Sequence, residues 1–312
     1  MTLNKTRYVN RSGPYQFVSK NYSLVIPHFL KGLALLGNVF FVHSSGSATT
    51  GPNTPEDPIA SIDTAVGLCT ANNNDVIVVL PGHAETVSGA AGIALDVAGI
   101  TVVGLGRGAA RPTITMSAVG STVTMAAASI TIYNLLFIST AACTIVLDIN
   151  AADCWVDTCE FRYSSGTAPV VWIDINGGAA NACDRTKITS CLINTLTNTS
   201  GSTGAGIELG EVADDVQIRG TVIIGDWGDA SIHNPTGKVL TDLTIADCEL
   251  TNYQTGDHSI ELVSACTGNL IRNMYHNNMT QATGSDPGSC FTFECYHDDV
   301  IDTSAIVSPA VT

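Results

Sequence analysis

Charged and aromatic side chains are scarce in this sequence, and no long apolar segment runs through it without interruption. Charged residues make up 13% of the 312 residues and aromatic residues 6%. The most apolar stretch, residues 24–42, is broken by proline, glycine and polar residues, so it is a poor candidate for a membrane span. Met1 begins a polar, basic stretch instead of the apolar core of a secretion signal. We therefore expect no membrane association and no export.

The cysteines lack the spacing of a metal site. Ten cysteines are present, but they form no C-x-x-C pair and no zinc-ligand pattern. Several fall at positions that should face inward on strands. We expect them to be mostly reduced and buried, as in a protein assembled in a reducing compartment. The sequence predicts neither a cofactor nor a metal site.

Basic residues are few and unevenly placed. Residues 1–55 contain five basic side chains and no acidic one, whereas residues 56–312 contain eight basic and all 28 acidic side chains, a net charge of −20. A basic arm on an acidic body indicates a tether to an acidic partner surface, and five charges over this length are too sparse to predict nucleic-acid binding. The alternative is a disordered, solubilising tail, against which the apolar and aromatic side chains of the arm argue. The predicted partner-binding residues of the arm are Lys5, Arg7, Tyr8, Arg11, Tyr15, Phe17, Lys20 and Phe29.

A short pattern of alternating apolar residues recurs seven times between Ile100 and His276. Each copy predicts two strands of period 2 that meet at a sharp corner, where glycine, asparagine and aspartate tolerate left-handed backbone angles. The predicted corners are Gly104, Asn134, Thr158, Ser190, Gly220, Asp247 and Asn273. Successive copies lie between 24 and 32 residues apart, which is typical of a stacked solenoid.

Most repeats contain a third strand, such as the segment 144–150. Three strands per turn with no helical periodicity between them predict an all-β fold, a right-handed parallel β-helix whose stacked coils share one core. Cys159, Cys191 and Cys248 occupy the same position after the corner, so we expect an internal ladder of buried thiols.

The chain divides into four predicted regions. Residues 1–37 form the N-terminal attachment arm, and 38–74 contain a first strand, a loop and a short helix over 59–69 that covers the open end of the solenoid. Residues 75–296 form the parallel β-helix, and 297–312 form a C-terminal tail.

The stretch from Gly37 to Met116 resembles the opening of the β-helix proteins commonly encoded by tailed bacteriophages. The segments that carry the resemblance are 38–42, 61–66, 75–86 and 99–112. Such proteins are similar in fold to pectate lyases and tailspikes, and their chains often associate laterally as trimers in virions. The resemblance implies a virion location, assembly in the host cytoplasm, and a major capsid protein or a tail protein as the partner.

An acidic column is predicted on the outward side of the third strands. Its members are Asp148, Asp174, Glu208, His233, Glu261 and Glu294. Two neighbouring carboxylates could act in glycoside hydrolysis or hold Ca²⁺, with Trp172 as a sugar platform, or the column could be a solvated acidic face. The column contains no Arg or Lys, which the β-helix polysaccharide lyases require, and the motif pairs of polygalacturonases are missing. We therefore expect no catalytic residue.

An apolar column is predicted on the strand after the corner. Its outward residues are Leu136, Glu160, Leu192, Val222, Glu249 and Tyr275. A contiguous apolar stripe marks a protein contact, unless loops fold back over it. Leu136, Leu192, Val222 and Tyr275 are the predicted contact residues, in a homo-oligomer that is a trimer by resemblance. The sequence as a whole predicts a non-enzymatic phage virion protein that decorates the capsid. The alternative is a polysaccharide-degrading or glycan-binding protein that uses the acidic column.

Overall fold

The structure is a computed structural model in which the chain forms two compact units, Met1–Leu36 and Gly37–Thr312. It describes residues 16–18, 23–25, 37–51, 53–164, 168–195, 204–254, 256–277, 284–299 and 302–307. In the first unit, strand β1 (Gln16–Val18) pairs antiparallel with β2 (Ser23–Val25). The described residues contain no helix long and apolar enough to cross a membrane.

The second unit is a parallel β-helix with three long sheets, as the repeats predict. Sheet 1 contains β3 (Val39–Val42), β4 (Val76–Val79), β7 (Thr101–Gly104), β10 (Thr131–Tyr133), β13 (Trp155–Asp157), β16 (Lys187–Thr189), β20 (Gln217–Arg219), β24 (Leu243–Ala246), β27 (Gly268–Ile271) and β30 (Phe291–Phe293). Sheet 2 contains β5 (Ala84–Val87), β8 (Thr113–Met116), β11 (Leu136–Ser139), β14 (Glu160–Tyr163), β17 (Leu192–Asn194), β21 (Val222–Gly225), β25 (Glu249–Asn252), β28 (Met274–Asn277), β31 (Cys295–Asp299) and β32 (Asp302–Val307). Sheet 3 contains β6 (Ile93–Leu95), β9 (Val123–Met125), β12 (Ile145–Ile149), β15 (Val171–Ile175), β18 (Ile207–Glu208), β22 (Ala230–His233), β26 (His258–Glu261) and β29 (Ser285–Asp286). A small parallel pair joins β19 (Ala213–Asp214) to β23 (Leu240–Thr241).

The corner between sheets 1 and 2 repeats one backbone conformation. The residues with positive φ, between 51° and 57°, are Asn134, Thr158, Ser190, Gly220, Asp247, Arg272 and Glu294. Five of the predicted corners are therefore confirmed. Gly104 instead ends β7, where a Cβ would lie 2.3 Å from the Asn134 carbonyl oxygen. In the corner after β27, Arg272 takes the left-handed conformation that was predicted for Asn273, and Asn273 is fully buried.

The residue after each corner points into the core. This inner position is occupied by Leu135, Cys159, Cys191, Thr221, Cys248, Asn273 and Cys295, all buried. The predicted burial of these thiols is confirmed, since all ten cysteines are free, Cys159 and Cys191 are buried in successive coils, and Cys248 is buried one coil beyond Thr221. The Cys191 thiol lies 3.3 Å from the Thr189 carbonyl oxygen, the same hydrogen bond that Thr221 makes to Arg219. A small polar side chain at this position therefore satisfies the carbonyl at the corner.

A short helix covers the N-terminal end of the solenoid. Helix α1 (Ile62–Val66) is shorter than the predicted 59–69, because Ser61 caps its N-terminus and Gly67 ends it. Its buried side chains pack against β3, β4 and β6. The Asp63 carboxylate accepts a hydrogen bond of 3.0 Å from Ala94 N on β6, and Glu85 Oε2 accepts one of 3.0 Å from Ile62 N. The helix thus satisfies polar groups at the edges of sheets 2 and 3.

The C-terminal end differs from the predicted tail over 297–312. Strand β31 includes His297–Asp299, and β32 turns back to pair with it antiparallel at the edge of sheet 2. The antiparallel strand extends sheet 2 beyond the last parallel coil. On sheet 1, the last strand β30 presents Phe291 and Phe293 outward, and they are 55% and 48% exposed.

Candidate functional site

The acidic column lies on the outward side of sheet 3. Cross-strand pairing places these residues next to one another in the order Asp148, Asp174, Glu208, His233, Glu261 and Asp286. Five of the six predicted members are therefore in register. The sixth prediction, Glu294, is wrong because that residue forms the corner between β30 and β31. Asp286 on β29 takes its place in the column.

Asp174 is the most buried carboxylate of this column. Its side chain is 3% exposed, and its Oδ1 atom has no hydrogen-bond partner. Burial, with Glu208 and Asp148 as neighbouring negative charges, raises the pKa of Asp174 to about 7. Asp174 is therefore the carboxyl group of the column that burial affects most, and the sequence pattern does not reveal this.

Asp148 occupies a less extreme environment. Burial raises the pKa of Asp148, while a hydrogen bond of 2.9 Å from the Asn150 amide to Asp148 Oδ2 opposes this shift. Asp148 and Asp174 thus lie side by side on neighbouring strands but differ in hydrogen bonding.

A second group of side chains gathers around His233. Its Nδ1 atom lies 3.7 Å from Glu208 Oε2 and 3.9 Å from Asp229 Oδ2. Burial lowers the pKa of His233, but Glu208, Asp229 and Glu261 outweigh this effect, so the pKa is raised overall. One ligand atom from each of Glu208, Asp229 and His233 can be chosen so that all three lie within 4.8 Å of one another. These three side chains could hold a metal ion.

Two residues near the column are missed by the strand pattern because they lie in loops. Asp229 immediately precedes β22, and the indole of Trp227 anchors this loop by donating a hydrogen bond of 3.1 Å to the Thr251 carbonyl oxygen. Lys238 pairs with Glu211 at 3.2 Å and lowers the pKa of Asp174 slightly through its charge. No periodic signal marks a loop residue, so neither could be placed from the sequence.

Trp172 is not a sugar platform. Its side chain is fully buried, and its ring packs edge-to-face against Phe161 with centroids 6.4 Å apart. The strand β15 is buried along its whole length, which leaves no exposed aromatic face beside Asp174.

The apolar column lies on the outward side of sheet 2. The residues in register are Leu136, Glu160, Leu192, Val222, Glu249, Met274 and Tyr296. Leu136, Leu192 and Val222 thus occupy the predicted face, but Tyr275 does not. Tyr275 is 1% exposed and points into the core, because the corner at Arg272 shifts the register by one residue. Met274 and Tyr296, 38% and 42% exposed, extend the column instead.

The charge of Glu160 within the apolar column is neutralised locally. Arg111 Nη1 lies 2.7 Å from Glu160 Oε2, and Arg162 forms a second ion pair with the same carboxylate. The acidic group between Leu136 and Leu192 is therefore compensated. Of the predicted arm residues, Phe17 lies in β1, and Lys5, Arg7, Tyr8, Arg11, Tyr15, Lys20 and Phe29 lie outside the described residues.

Comparison with known proteins shows the fold. No protein-family model and no curated protein matches the chain. Among solved structures, the chain is similar to the pectate lyase Pel9A, at 10% identity over 88% of this chain and 81% of that one, with a TM-score of 0.51. It is also similar to ORF18 of Geobacillus virus E2, at 11% identity over 93% of this chain, with a TM-score of 0.41. The chain spans 56% of the length of the viral protein. The pectate lyase match confirms the parallel β-helix fold, and at this identity it shows the fold alone.

Proposed function

We propose that this chain is a structural protein of a bacteriophage particle, a capsid decoration protein that docks through its N-terminal arm and presents the β-helix outward. The host cytoplasm is its place of assembly and the virion its final location. The protein acts as a rigid, non-enzymatic element, and its partner is a major capsid protein or a tail protein.

The observation that carries this proposal is the apolar column on sheet 2. Leu192 and Val222 are adjacent in register on β17 and β21 and remain partly exposed, and beyond Glu249 the same line continues with Met274 and Tyr296. An outward face of a parallel sheet with this composition suits contact with another protein surface. Lateral association of copies, as a trimer, would cover it.

The uneven charge supports a separate role for the arm. Five basic residues and no acidic residue precede position 56, and the remainder has a net charge of −20. Deletion of the arm tests this role. Because Gly37 packs against the backbone of Asn73 and Asn74, the deletion should remove residues 1–36 and keep Gly37. We expect this truncated chain to fold but to be absent from purified particles. Undiminished incorporation would contradict docking through the arm.

The lateral contact is tested by charge insertion in the apolar column. We expect Leu192→Glu and Val222→Glu to convert the oligomer to a monomer in light scattering, because each buries a charge in the proposed contact. Thr244→Glu is the matched control, since Thr244 points outward from sheet 1 at a comparable partly exposed position. A wild-type monomer, or unchanged mass in both column variants, would contradict lateral association.

The second candidate is a glycan-binding or polysaccharide-cleaving function. It is favoured by Asp174, a buried carboxyl group with a raised pKa that lies beside the carboxylate of Glu208, since glycoside hydrolysis uses two neighbouring carboxyl groups, one of them an acid with a raised pKa. Against it, Asp174 is almost inaccessible to a polymer and Trp172 is buried. Incubation with acidic and neutral polysaccharides, with and without Ca²⁺, should release no oligosaccharide. Product formation that Asp174→Asn or Glu208→Gln abolishes would establish the enzyme instead.

A further inference from the structure

We propose that Glu208, Asp229 and His233 form a binding site for a divalent transition-metal cation of the zinc type on the outward side of sheet 3. This site is independent of the proposed docking role, because it lies on a different sheet from the apolar column.

The distances within the cluster fit a shared ion better than direct hydrogen bonds. His233 Nδ1 lies 3.7 Å from Glu208 Oε2 and 3.9 Å from Asp229 Oδ2, both beyond hydrogen-bonding range. Ligands that bind one zinc ion tetrahedrally at about 2.0–2.2 Å lie about 3.3–3.6 Å from each other. Shifts of a few tenths of an ångström would bring His233 Nδ1 to this separation from each carboxylate oxygen. The third pair of ligand atoms, from Glu208 and Asp229, lies within 4.8 Å.

Two buried polar atoms beside the cluster lack partners. His233 Nδ1 is buried and makes no hydrogen bond. Asp174, next to Glu208 in register, is 3% exposed, and its Oδ1 atom also has no partner. A Cβ on Gly210 would lie 2.7 Å from that oxygen, so glycine preserves the space around it. An unpartnered buried nitrogen within the cluster, and an unpartnered buried oxygen on the strand next to Glu208, are consistent with a missing positive partner.

The surrounding charge also favours a cation. Asp226, Asp257 and Glu261 add negative charge in the region of Asp229, and the imidazole of His258, 3.7 Å from Glu261 Oε2, opposes it in part. Within the described residues, no lysine or arginine forms an ion pair with Glu208, Asp229 or Glu261. Lys238, the nearby lysine, is paired with Glu211. A bound dication would relieve this repulsion.

The ligand set selects the type of metal. Ca²⁺ takes six to eight oxygen ligands, and imidazole nitrogen suits Zn²⁺ and its neighbours in the first transition row. One imidazole with two carboxylates leaves a position open for water, as in zinc sites with three protein ligands. Because the loop residue Asp229 supplies the third ligand, the sequence pattern predicted no metal site here.

The experiment uses the full chain after treatment with a chelator. Co²⁺ replaces Zn²⁺ as a visible probe, and Zn²⁺ affinity is measured by calorimetry. We expect one equivalent to bind, with a Co²⁺ absorption spectrum of nitrogen and oxygen ligands. His233→Gln and Glu208→Gln should each weaken binding roughly tenfold or more. His276→Gln is the matched control, because His276 Nε2 lies 3.9 Å from Glu249 Oε1 on sheet 2, a distance similar to those around His233. Among the described residues, His276 and Glu249 have no third ligand that would complete a metal site.

Three outcomes would overturn the proposal. The first is the absence of Co²⁺ binding to the wild-type chain. The second is equal affinity for Co²⁺ in His233→Gln and wild type. This outcome includes the case in which Ca²⁺ displaces Co²⁺ and only substitutions of the carboxylate residues weaken binding. The third is a thiolate-to-cobalt charge-transfer band, which would assign the bound metal to cysteines. Circular dichroism of each variant confirms that the β-helix is retained.

Discussion

At the residue scale, the inner position after each corner is occupied by Leu135 in one coil and by side chains with a hydrogen-bond donor in the coils that follow. The thiol of Cys248 lies 3.3 Å from the Ala246 carbonyl oxygen, and the hydroxyl of Thr221 lies 3.3 Å from that of Arg219. Asn273 instead donates its hydrogen bond across coils, to the carbonyl oxygen of Ile245 at 2.9 Å. Size and one donor group, rather than thiol chemistry, explain the cysteines at this position.

This account predicts different effects for two substitutions of Cys191. Cys191→Asp buries an unpaired negative charge and should lower the free energy of unfolding by about 3–5 kcal/mol. Cys191→Thr should cost far less, because Thr221 occupies the same position in the next coil. Urea denaturation measures both. Similar losses for Asp and Thr would contradict the assigned role of this position.

The buried thiols also predict a dependence of stability on alkaline pH. Burial raises the pKa of Cys159 to about 12, that of Cys183 to about 12 and that of Cys248 to about 11. The pKa of a thiol in the unfolded chain is about 8.5, so each of these pKa values is higher in the folded state. The stabilisation from burying the neutral thiols is therefore complete below about pH 8.5 and is lost as the pH rises toward the pKa of the folded state. We expect the thermal midpoint to be flat to about pH 8 and to fall above about pH 9.

Thiol labelling provides an independent readout of the same burial. At about pH 8 the native chain should react with iodoacetamide far more slowly than the urea-unfolded chain, because the thiolate is the reactive form. Burial raises the pKa of Cys69 and of Cys290 to about 12 as well, but both side chains are only partly buried. Because iodoacetamide can reach them in the native fold, we expect these two to react first. Rapid native labelling of Cys159, Cys191 and Cys248 would show that the inward register is wrong.

At the scale of elements, the corner between sheets 1 and 2 depends on a left-handed residue in each coil. Ser190 has φ of 53° and Gly220, in the next coil, has φ of 57°. Ser190→Gly should raise the unfolding free energy by about 0.5 kcal/mol, because relief of the left-handed strain exceeds the added entropy of the unfolded chain. Gly220→Val should lower it by about 1–2 kcal/mol. Thermal unfolding of both variants measures these changes. A change in unfolding free energy of the same sign in both variants would contradict the left-handed conformation assigned to the corner.

Much of this element pattern could be predicted from the sequence, because a two-residue period with one apolar face fixes the register of a strand. The predicted register is wrong by one residue near the C-terminus, and the reason is physical. Asn273 is suited to a left-handed corner, but its buried amide accepts a hydrogen bond of 3.0 Å from Cys248 N and donates to Ile245 O. Arg272 therefore takes the corner, which turns Tyr275 inward.

Part of the candidate metal site could not be predicted in the same way. Glu208 and His233 follow the strand period, so their adjacency is visible in the sequence. Asp229 belongs to a loop held in place by Trp227 and Asn252, and the hydrogen bond of 2.9 Å from Trp227 N to Asn252 Oδ1 has no sequence signature. The burial of Asp174 likewise depends on Gly210, which lies outside the strand that carries the carboxylate.

At the scale of the whole molecule, the three sheets present different surfaces. Sheet 3 carries the acidic column, sheet 2 carries the apolar column, and the last strand of sheet 1 exposes two phenylalanines. A capped, three-sided solenoid with distinct faces suits a structural element that meets one partner on one side and solvent on another. The basic residues that precede position 56 differ chemically from all three faces, and we propose that they serve attachment.

Attachment through a basic and aromatic arm predicts a partial response to salt. Raising ionic strength shortens the Debye length from about 10 Å at 0.1 M to about 3 Å at 1 M, which weakens contacts between exposed charges. We expect high salt to release part of the chain from purified particles, while the aromatic contacts retain the rest. Complete retention or complete release would each contradict a mixed interface.

Cryo-electron microscopy of the intact phage particle tests the central claim most directly. The structural account predicts density for a parallel β-helix on the particle surface, repeated with the symmetry of the capsid or tail and joined to it by residues of the N-terminal arm. Absence of the chain from purified, infectious particles would contradict the structural role.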